Sequence, residues 1–268
     1  MEYGIPGQCA RGFVLSYFFI YTTQMEQKGH LHPLSILIND ISQVGVFLGF
    51  DVIDGPELEQ EKYNFDMLNI PSWHPARDMW DTFWVKTLAE KGRRVMRTHT
   101  SSVQPRYMES HTPPFAVMVP GKVFRYEPTD ATHEAQFYQI EGFVVGKDIS
   151  VATMKSFFTK FFSELFKKEI NVRMRPSYFP FVEPAVEIDM SCFKCGGSGC
   201  NTCKHTGWIE IMGAGMIHPK VFEACNINPE EWQGFAFGGG IDRILMMKYG
   251  IDDVRLLYNG DVRVSAQF

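Results

Sequence analysis

Between His32 and Leu48, Leu34, Leu37, Ile41, Val44 and Leu48 recur at three- and four-residue spacing, which places them on one face of a helix. The stretch "LGFDVIDGPELE" then predicts a glycine stop, a short strand and a turn at Gly55-Pro56. "NIPSWHPARDMWDTFWV" is too rich in Pro, Trp and Asp for regular structure at its start, and "RVMRTHTSSVQPRYM" reads as a strand end entering a helix capped by Ser101 or Ser102. "FAVMVPGKVFRYE" predicts two short strands about a Pro-Gly turn, and "QFYQIEGFVVG" alternates like a further strand. Ser150 can cap the helix that Met154, Phe157, Phe158, Phe161, Leu165 and Phe166 describe. Strands return in "VEIDM", "WIEIMGAGM" and "GFAFGG", before a closing helix from Ile241. Closely spaced strands with flanking helices predict an α+β fold built on a mostly antiparallel sheet. Residues 1–29 show no sustained period and are read as an N-terminal segment of unclear role, with residues 30–268 as one domain.

With 268 residues, 45% hydrophobic and 14% aromatic, the chain can bury a substantial core. The net charge of −5 gives no generic attraction to a nucleic-acid backbone, so any RNA contact is local or lent by a partner. No apolar run approaches the roughly 20 residues that cross a bilayer. The longest, "FVLSYFFIY", is preceded only by Arg11 and lacks a small-residue cleavage site, so it makes a poor signal peptide. Four of the six cysteines are clustered rather than spread as a disulfide framework, and the expected compartment is the cytoplasm.

The chemistry gathers in "FRYEPTDATHEAQFYQIEG" and "GFAFGGGIDRILMM". Alternation sends Arg125 and Glu127 to one side of a strand, and likewise Gln139 and Glu141. If the two strands pair, one sheet face carries a guanidinium, two carboxylates and an amide. A solvated face with surface ion pairs would look similar; His133 and Phe137 in the intervening loop tilt the reading toward a site. Such a site suits a phosphate-bearing ligand with a cationic head group, because Arg binds phosphate bidentately while carboxylates and amides suit an ammonium or an aminopurine edge. The glycines before Arg243 permit close backbone approach, and Arg243 opens a helix. No Gly-Lys-Ser/Thr follows, so this is not a P-loop.

From about His32 onward the chain resembles the catalytic alpha subunits of bacterial phenylalanyl-tRNA synthetases, which are class II aminoacyl-tRNA synthetases. "HPLSILINDISQVGVFLGFDVIDGPELE", "FRYEPTDATHEAQFYQIEG" and "GFAFGGGIDRILMM" resemble class II motifs 1, 2 and 3. "YNFDMLNIPSWHPARDMWDTFW", "RTHTSSVQPRYM" and "RPSYFPFVEP" resemble signatures of the subfamily. The resemblance implies the class II fold, with residues 30–268 as catalytic domain, and ATP-dependent activation of L-phenylalanine followed by transfer to tRNA(Phe). It implies ATP and Mg2+, and a beta-subunit partner in an alpha2-beta2 assembly with motif 1 at a dimer interface. By the same resemblance, Arg125 binds the alpha-phosphate, Arg243 holds the gamma-phosphate and sandwiches adenine with Phe137, and His133 lies near the leaving pyrophosphate. Trp80, His99, Ser101, Gln104, Glu127, Gln139 and Glu141 line the amino-acid end. Glu127 is also counted with the ATP-binding residues. Phe179 and Phe181 meet the substrate ring edge-to-face, while Val182, Ala236 and Gly238 complete the pocket. Read from burial alone, the two phenylalanines are ordinary core aromatics.

Two features depart from the family pattern. The family's alpha subunits begin with a long helical arm that reaches toward tRNA, which the residues before His32 do not resemble; the chain alone is therefore expected to bind the adenylate without charging tRNA. The other is "CFKCGGSGCNTCKHTGW", where Cys192, Cys195, Cys200 and Cys203 form C-x2-C-x4-C-x2-C in a hairpin spanning 190–208. Four thiolates at this spacing predict a structural zinc site, far in sequence from motifs 2 and 3 and with no open coordination position. Two disulfides are the alternative, with His205 a lesser candidate ligand and Cys9 and Cys225 read as small hydrophobes. An adenylating paralogue without tRNA charging and a non-catalytic binding module are the rival functions; intact Arg125, Glu127 and Arg243 speak against the module.

Overall fold

The computed structural model describes residues 29–77, 82–86 and 92–268. Helix α1 (Pro33–Phe47) starts where His32 Nδ1 accepts the Leu34 N–H and Pro33 needs no intrahelical donor. Its Leu34, Leu37, Ile41 and Val44 are buried, and Gly49, at φ 88°, ends it in the left-handed conformation. The chain continues through β1 (Asp51–Val52), β2 (Leu58–Gln60), β3 (Trp84–Val85), β4 (Arg94–Met96) and helix α2 (Val103–Met108). Strands β5 (Phe115–Phe124) and β6 (Gln136–Gly146) precede helix α3 (Val151–Phe166). After β7 (Val172–Phe179), β8 (Val182–Ser191) and β9 (Trp208–Ile217) come helix α4 (Pro219–Ala224), β10 (Gln233–Gly240) and helix α5 (Ile241–Tyr249).

Seven strands form one sheet in the order β1-β5-β6-β10-β9-β8-β7, and β2-β4-β3 form a second. Among the described residues, only β1 runs parallel to its neighbour and every other pair is antiparallel. The link of Pro180 and Phe181 between β7 and β8 is a tight hairpin connection, whereas β5 and β6 pair antiparallel across the longer loop that carries His133. β10 enters between β6 and β9, so the strands of motifs 2 and 3 become neighbours although a hundred residues of chain, roughly, separate them. Gly238 lies opposite Glu141, and Gly240 opposite Gln139.

One face of the large sheet is covered by α1, α3 and α5. Here Ser150 accepts the Thr153 N–H at the start of α3, and Phe158, Phe161 and Phe162 are fully buried. Phe158 meets Phe237 edge-on at 5.2 Å between ring centroids. A Cβ at Gly142 would stand 2.1 Å from the Phe237 ring, so glycine there is what lets the ring lie against β6. Val103, Met108, Val221 and Phe222 cover the opposite face. Buried Arg97 links the two sheets, with Nε donating to Lys122 O at 2.7 Å and a terminal nitrogen to Gly55 O at 2.9 Å.

Three local expectations are corrected. The residues around Pro120-Gly121 form one continuous strand, not two: β1 ends opposite Met118, so no strand beyond that point needs a Pro120 N–H. Gly121 is needed instead because a Cβ would stand 2.2 Å from the Arg97 guanidinium. Neither serine caps α2: the Ser101 hydroxyl turns toward Glu141, and Ser102 Oγ has no partner among the described residues. The alternation expected of Arg125 and Glu127 does not persist, because β5 ends at Phe124 and the Glu127 N–H donates back to Arg125 O at 2.9 Å.

Candidate active site and metal centre

Two adjoining cavities open at the edge where β6, β10 and β9 meet the loops. The first, of about 330 Å3, is lined by Phe179, Phe181, Val182, Ala214 and Ala236 at its apolar part and by His99, Ser101, Gln139 and Glu141 at its polar part. Small residues shape it. A Cβ at Gly213 would come within 2.7 Å of the Phe179 ring, and one at Gly238 within 2.8 Å of Glu141 Oε2 and 2.9 Å of Gln139 Nε2. The rings of Phe179 and Phe181 stack at 6.0 Å.

Glu141 is the electrostatic centre of the polar part. It is buried, its Oε2 accepts from Ser101 Oγ at 2.7 Å, and its Oε1 accepts from Gln104 Nε2. Burial nonetheless pushes its carboxyl up to about 8, against the lowering effect of both hydrogen bonds. His99 is driven the other way, to about 3, by burial and then by the charge of Arg125, so it is neutral at pH 7. Gln139 Oε1 is buried with no hydrogen-bond partner among the described residues, a polar atom that a ligand donor would satisfy.

The second cavity, of about 690 Å3, is lined by Arg125, Glu127, His133, Phe137, Asp242 and Arg243. Arg125 borders both cavities, donating from Nε to Thr98 O at 3.1 Å with its guanidinium 5.0 Å from the Phe137 ring centroid. His133 Nδ1 lies 3.0 Å from the Asp130 carboxylate. Asp242, in the first turn of α5, accepts the Tyr138 N–H at 2.6 Å and the Tyr258 hydroxyl, which pins the helix to β6 beside Arg243. Burial raises the Asp242 carboxyl above its usual range, and burial with the neighbouring carboxylate raises the Tyr258 phenol.

The hairpin between β8 and β9 brings the four cysteine sulfurs within 4.8 Å of one another. Cys192 and Cys200 are 3.7 Å apart, and Cys195 and Cys203 are 3.8 Å apart. Four thiolates at about 2.3 Å from a tetrahedral zinc ion stand about 3.8 Å from each other, so the set fits such an ion. All four are free thiols rather than disulfides. The Gly199 N–H donates to Cys195 Sγ at 3.2 Å and the Cys200 N–H to Cys203 Sγ at 3.1 Å, the kind of outer support that orients metal ligands. Cys225, buried apart from this cluster, has its thiol pushed up to about 12 by burial.

The family model for the tRNA synthetase class II core domain (F) matches residues 18–268. The phenylalanine–tRNA ligase alpha subunit of Exiguobacterium sibiricum is 50% identical over 244 residues, covering 91% of this chain and 70% of that protein. Those of Streptococcus equi subsp. zooepidemicus and Streptococcus pneumoniae are 50% identical over 248 residues and 51% over 243; the latter match covers 90% of this chain and 68% of its relative. The chain belongs to this family. It is thus a class II aminoacyl-tRNA synthetase domain, and its sheet is the mostly antiparallel one expected of that fold.

Within this class II domain, the structure gathers His99, Ser101, Gln139, Glu141, Phe179, Phe181, Val182, Ala236 and Gly238 around the first cavity. Gln104 stands behind it, through Glu141. Glu127 lines the second cavity with His133, Phe137 and Arg243, not the first, because the chain turns away from the sheet at Arg125. Trp80 lies outside the described residues, as do the residues of segment 1–28. Sequence reasoning missed Gly213 and Ala214, for which the run of small residues in "GAGM" was the available signal. It also missed Tyr258, a contact between distant residues that leaves no local pattern, and the lining contributed by the cysteine hairpin.

Proposed function

We propose that the chain activates L-phenylalanine with ATP and transfers the acyl group to tRNA(Phe), as the catalytic alpha subunit of a phenylalanyl-tRNA synthetase. The observation that carries this reading is Arg125 standing where an amphipathic cavity adjoins one lined by both cations and carboxylates. The first cavity suits phenylalanine: Glu141, Gln139, Ser101 and His99 face its ammonium and carboxylate, with Gln104 supporting Glu141. Phe179, Phe181, Val182, Ala236 and Gly238 enclose the ring. The second suits ATP, with Arg243 and Phe137 about the adenine, Arg243 toward the gamma-phosphate, and His133 and Glu127 beside the polyphosphate.

The substrate carboxylate attacks the alpha-phosphorus, a bond to pyrophosphate breaks, and phenylalanyl-adenylate forms. No side-chain nucleophile takes part, so catalysis consists of alignment and stabilisation of the pentavalent phosphate. Arg125, reaching both cavities, neutralises the charge that builds at the alpha-phosphate. Glu127, Glu134 and Asp252 would offer oxygen donors to Mg2+, which would supply further charge neutralisation there. Cys192, Cys195, Cys200 and Cys203 would hold zinc, which supplies structural cross-linking of the hairpin.

We assign residues 30–268 to the catalytic domain, 190–208 to its metal-binding insertion and 1–29 to a separate N-terminal segment. A beta subunit in an alpha2-beta2 assembly is the expected partner, and the cytoplasm the expected compartment. No helix among the described residues is long and apolar enough to cross a membrane. The exposed Val46 and Phe47 at the end of α1 fit a role for motif 1 in assembly.

Calorimetric titration with a non-hydrolysable phenylalanyl-adenylate analogue tests this reading. One site per chain is expected, weakened on the order of tenfold or more in Arg125→Ala by loss of a charge-assisted phosphate contact. Equal binding of the tyrosyl analogue, or no effect of the substitution, contradicts it.

A further inference from the structure

The cysteine hairpin does more than cross-link two strands. Cys192 and Cys203 are buried in the same cluster as Ile244 and Leu245 of α5, the helix that presents Arg243. The first knuckle is held to the end of α3 by the stacked rings of Phe166 and Phe193, 4.7 Å apart, and by Lys168 Nζ donating to Phe193 O at 2.9 Å. The Lys194 ammonium lies 3.6 Å from the Cβ position of Gly250, the left-handed residue that closes α5, where a cation is favoured by the helix carbonyls. From this seat the hairpin turns Lys194, Asn201, Thr202 and Lys204 toward the second cavity.

Among the described residues, four lysine and arginine side chains line that cavity, Arg125, Arg243, Lys194 and Lys204, two of them from the hairpin, together with four carboxylates, Glu127, Glu134, Asp242 and Asp252. Among the lining carboxylates, Asp242 is engaged by Tyr258 and the Tyr138 N–H. The hydroxyl and amide of Thr202 and Asn201, neighbours on the 3-10 turn that carries Cys203, add neutral donors on the same side.

We propose that the cysteine hairpin is the outer wall of the nucleotide pocket and that Lys194 and Lys204 bind the terminal phosphates of ATP. The proposal rests on reading the second cavity as the nucleotide site. Arg125 at the junction of the cavities takes the phosphate nearest the amino acid, which leaves the phosphates remote from it for the cations on the far wall. Metal loading of the four cysteines then sets the position of two phosphate-binding lysines. Removing the metal weakens ATP while leaving intact the phenylalanine cavity, whose lining residues on β8 and β9, Val182, Gly213 and Ala214, lie several positions along the strands from the hairpin.

The test is equilibrium binding of ATP, ADP and AMP to the metal-loaded chain, wild type and the double variant Lys194→Ala/Lys204→Ala. Zinc content and phenylalanine affinity are measured on the same samples. The expected result is ATP affinity lowered on the order of tenfold, with AMP changed less than about twofold, because each lost charge-assisted contact acts only where a phosphate is present. Zinc stoichiometry and phenylalanine binding stay at wild-type values. Chelation of wild type should reproduce the selective loss of ATP with an unchanged circular dichroism spectrum. Equal weakening of ATP and AMP, or no weakening, overturns the proposal. If Arg243→Ala weakens ATP and the lysine variant does not, the nucleotide reading of the cavity stands and only the role of the hairpin falls. If wild type binds no ATP, both fall.

Discussion

The Ser101 hydroxyl donates to Oε2 of Glu141 at 2.7 Å, joining the turn before α2 to the middle of β6 at the buried polar end of the first cavity. The bond recruits as a ligand-orienting group a serine that would otherwise cap a helix. It also leaves a carboxyl whose charge burial disfavours, and that charge is what an amino-acid ammonium would restore.

Glu141 makes phenylalanine binding depend on pH. With its folded pKa raised to about 8 from 4.5, the unliganded protein holds a proton there that the unfolded chain lacks between those values. Stability from this group is therefore fully present at low pH and declines as pH rises through that window. An ammonium ligand favours the carboxylate, so binding at pH 6.5 should release close to one proton and tighten toward pH 8. Calorimetry in buffers of differing ionisation enthalpy reads the proton count, and Glu141→Gln should abolish the release.

Ala236 is buried in the wall of the first cavity, opposite Gly215 on β9 and Phe143 on β6. Ala236→Gly should admit para-halogenated phenylalanines, read as amino-acid-dependent exchange of pyrophosphate into ATP. Tyrosine should stay poor, since a buried hydroxyl without a partner costs about 1–3 kcal/mol. Unchanged discrimination would place Ala236 away from the ring's para position.

Gly238 tests the polar end. In Gly238→Ala the new methyl would press on Glu141 Oε2 and Gln139 Nε2, so phenylalanine affinity should fall on the order of tenfold or more by loss of one to two kcal/mol of polar contact, roughly. Thermal unfolding should shift by a few degrees at most, because the neighbours are side-chain ends.

Phe158 carries stability rather than chemistry. It is fully buried among Phe157, Phe162 and Phe237, and Phe158→Ala should cost about 3–5 kcal/mol in denaturant unfolding. Loss of activity without loss of stability would contradict that placement.

The periodic segments were legible because burial of one face writes a local pattern: α1, α3, β6 and the strands around the hairpin fall where spacing and alternation put them. β5 misled because Pro120-Gly121 has the chemistry of a turn, yet here the proline sits beyond the end of β1 and the glycine makes room for Arg97. β7 escaped notice because its alternation Val172-Arg173-Met174-Arg175 is cut short at Pro176, and its exposed arginines find their partner, Asp189, on the neighbouring strand rather than in local sequence. Of the site, the polar residues of motifs 2 and 3 were readable from their density. The closeness of the cysteine hairpin to Arg243 was not, because sequence separation says nothing about two loops that emerge at the same edge of a sheet.

Phenylalanine-dependent exchange of pyrophosphate into ATP, by the metal-loaded chain with and without a beta subunit, tests the central claim most directly. The account predicts exchange that requires phenylalanine, is not supported by tyrosine, and falls by two or more orders of magnitude, roughly, in Arg125→Ala, as removal of an electrostatic stabiliser of the transition state does. Exchange that persists undiminished in Arg125→Ala, or is absent from the wild-type complex with phenylalanine present, would contradict it.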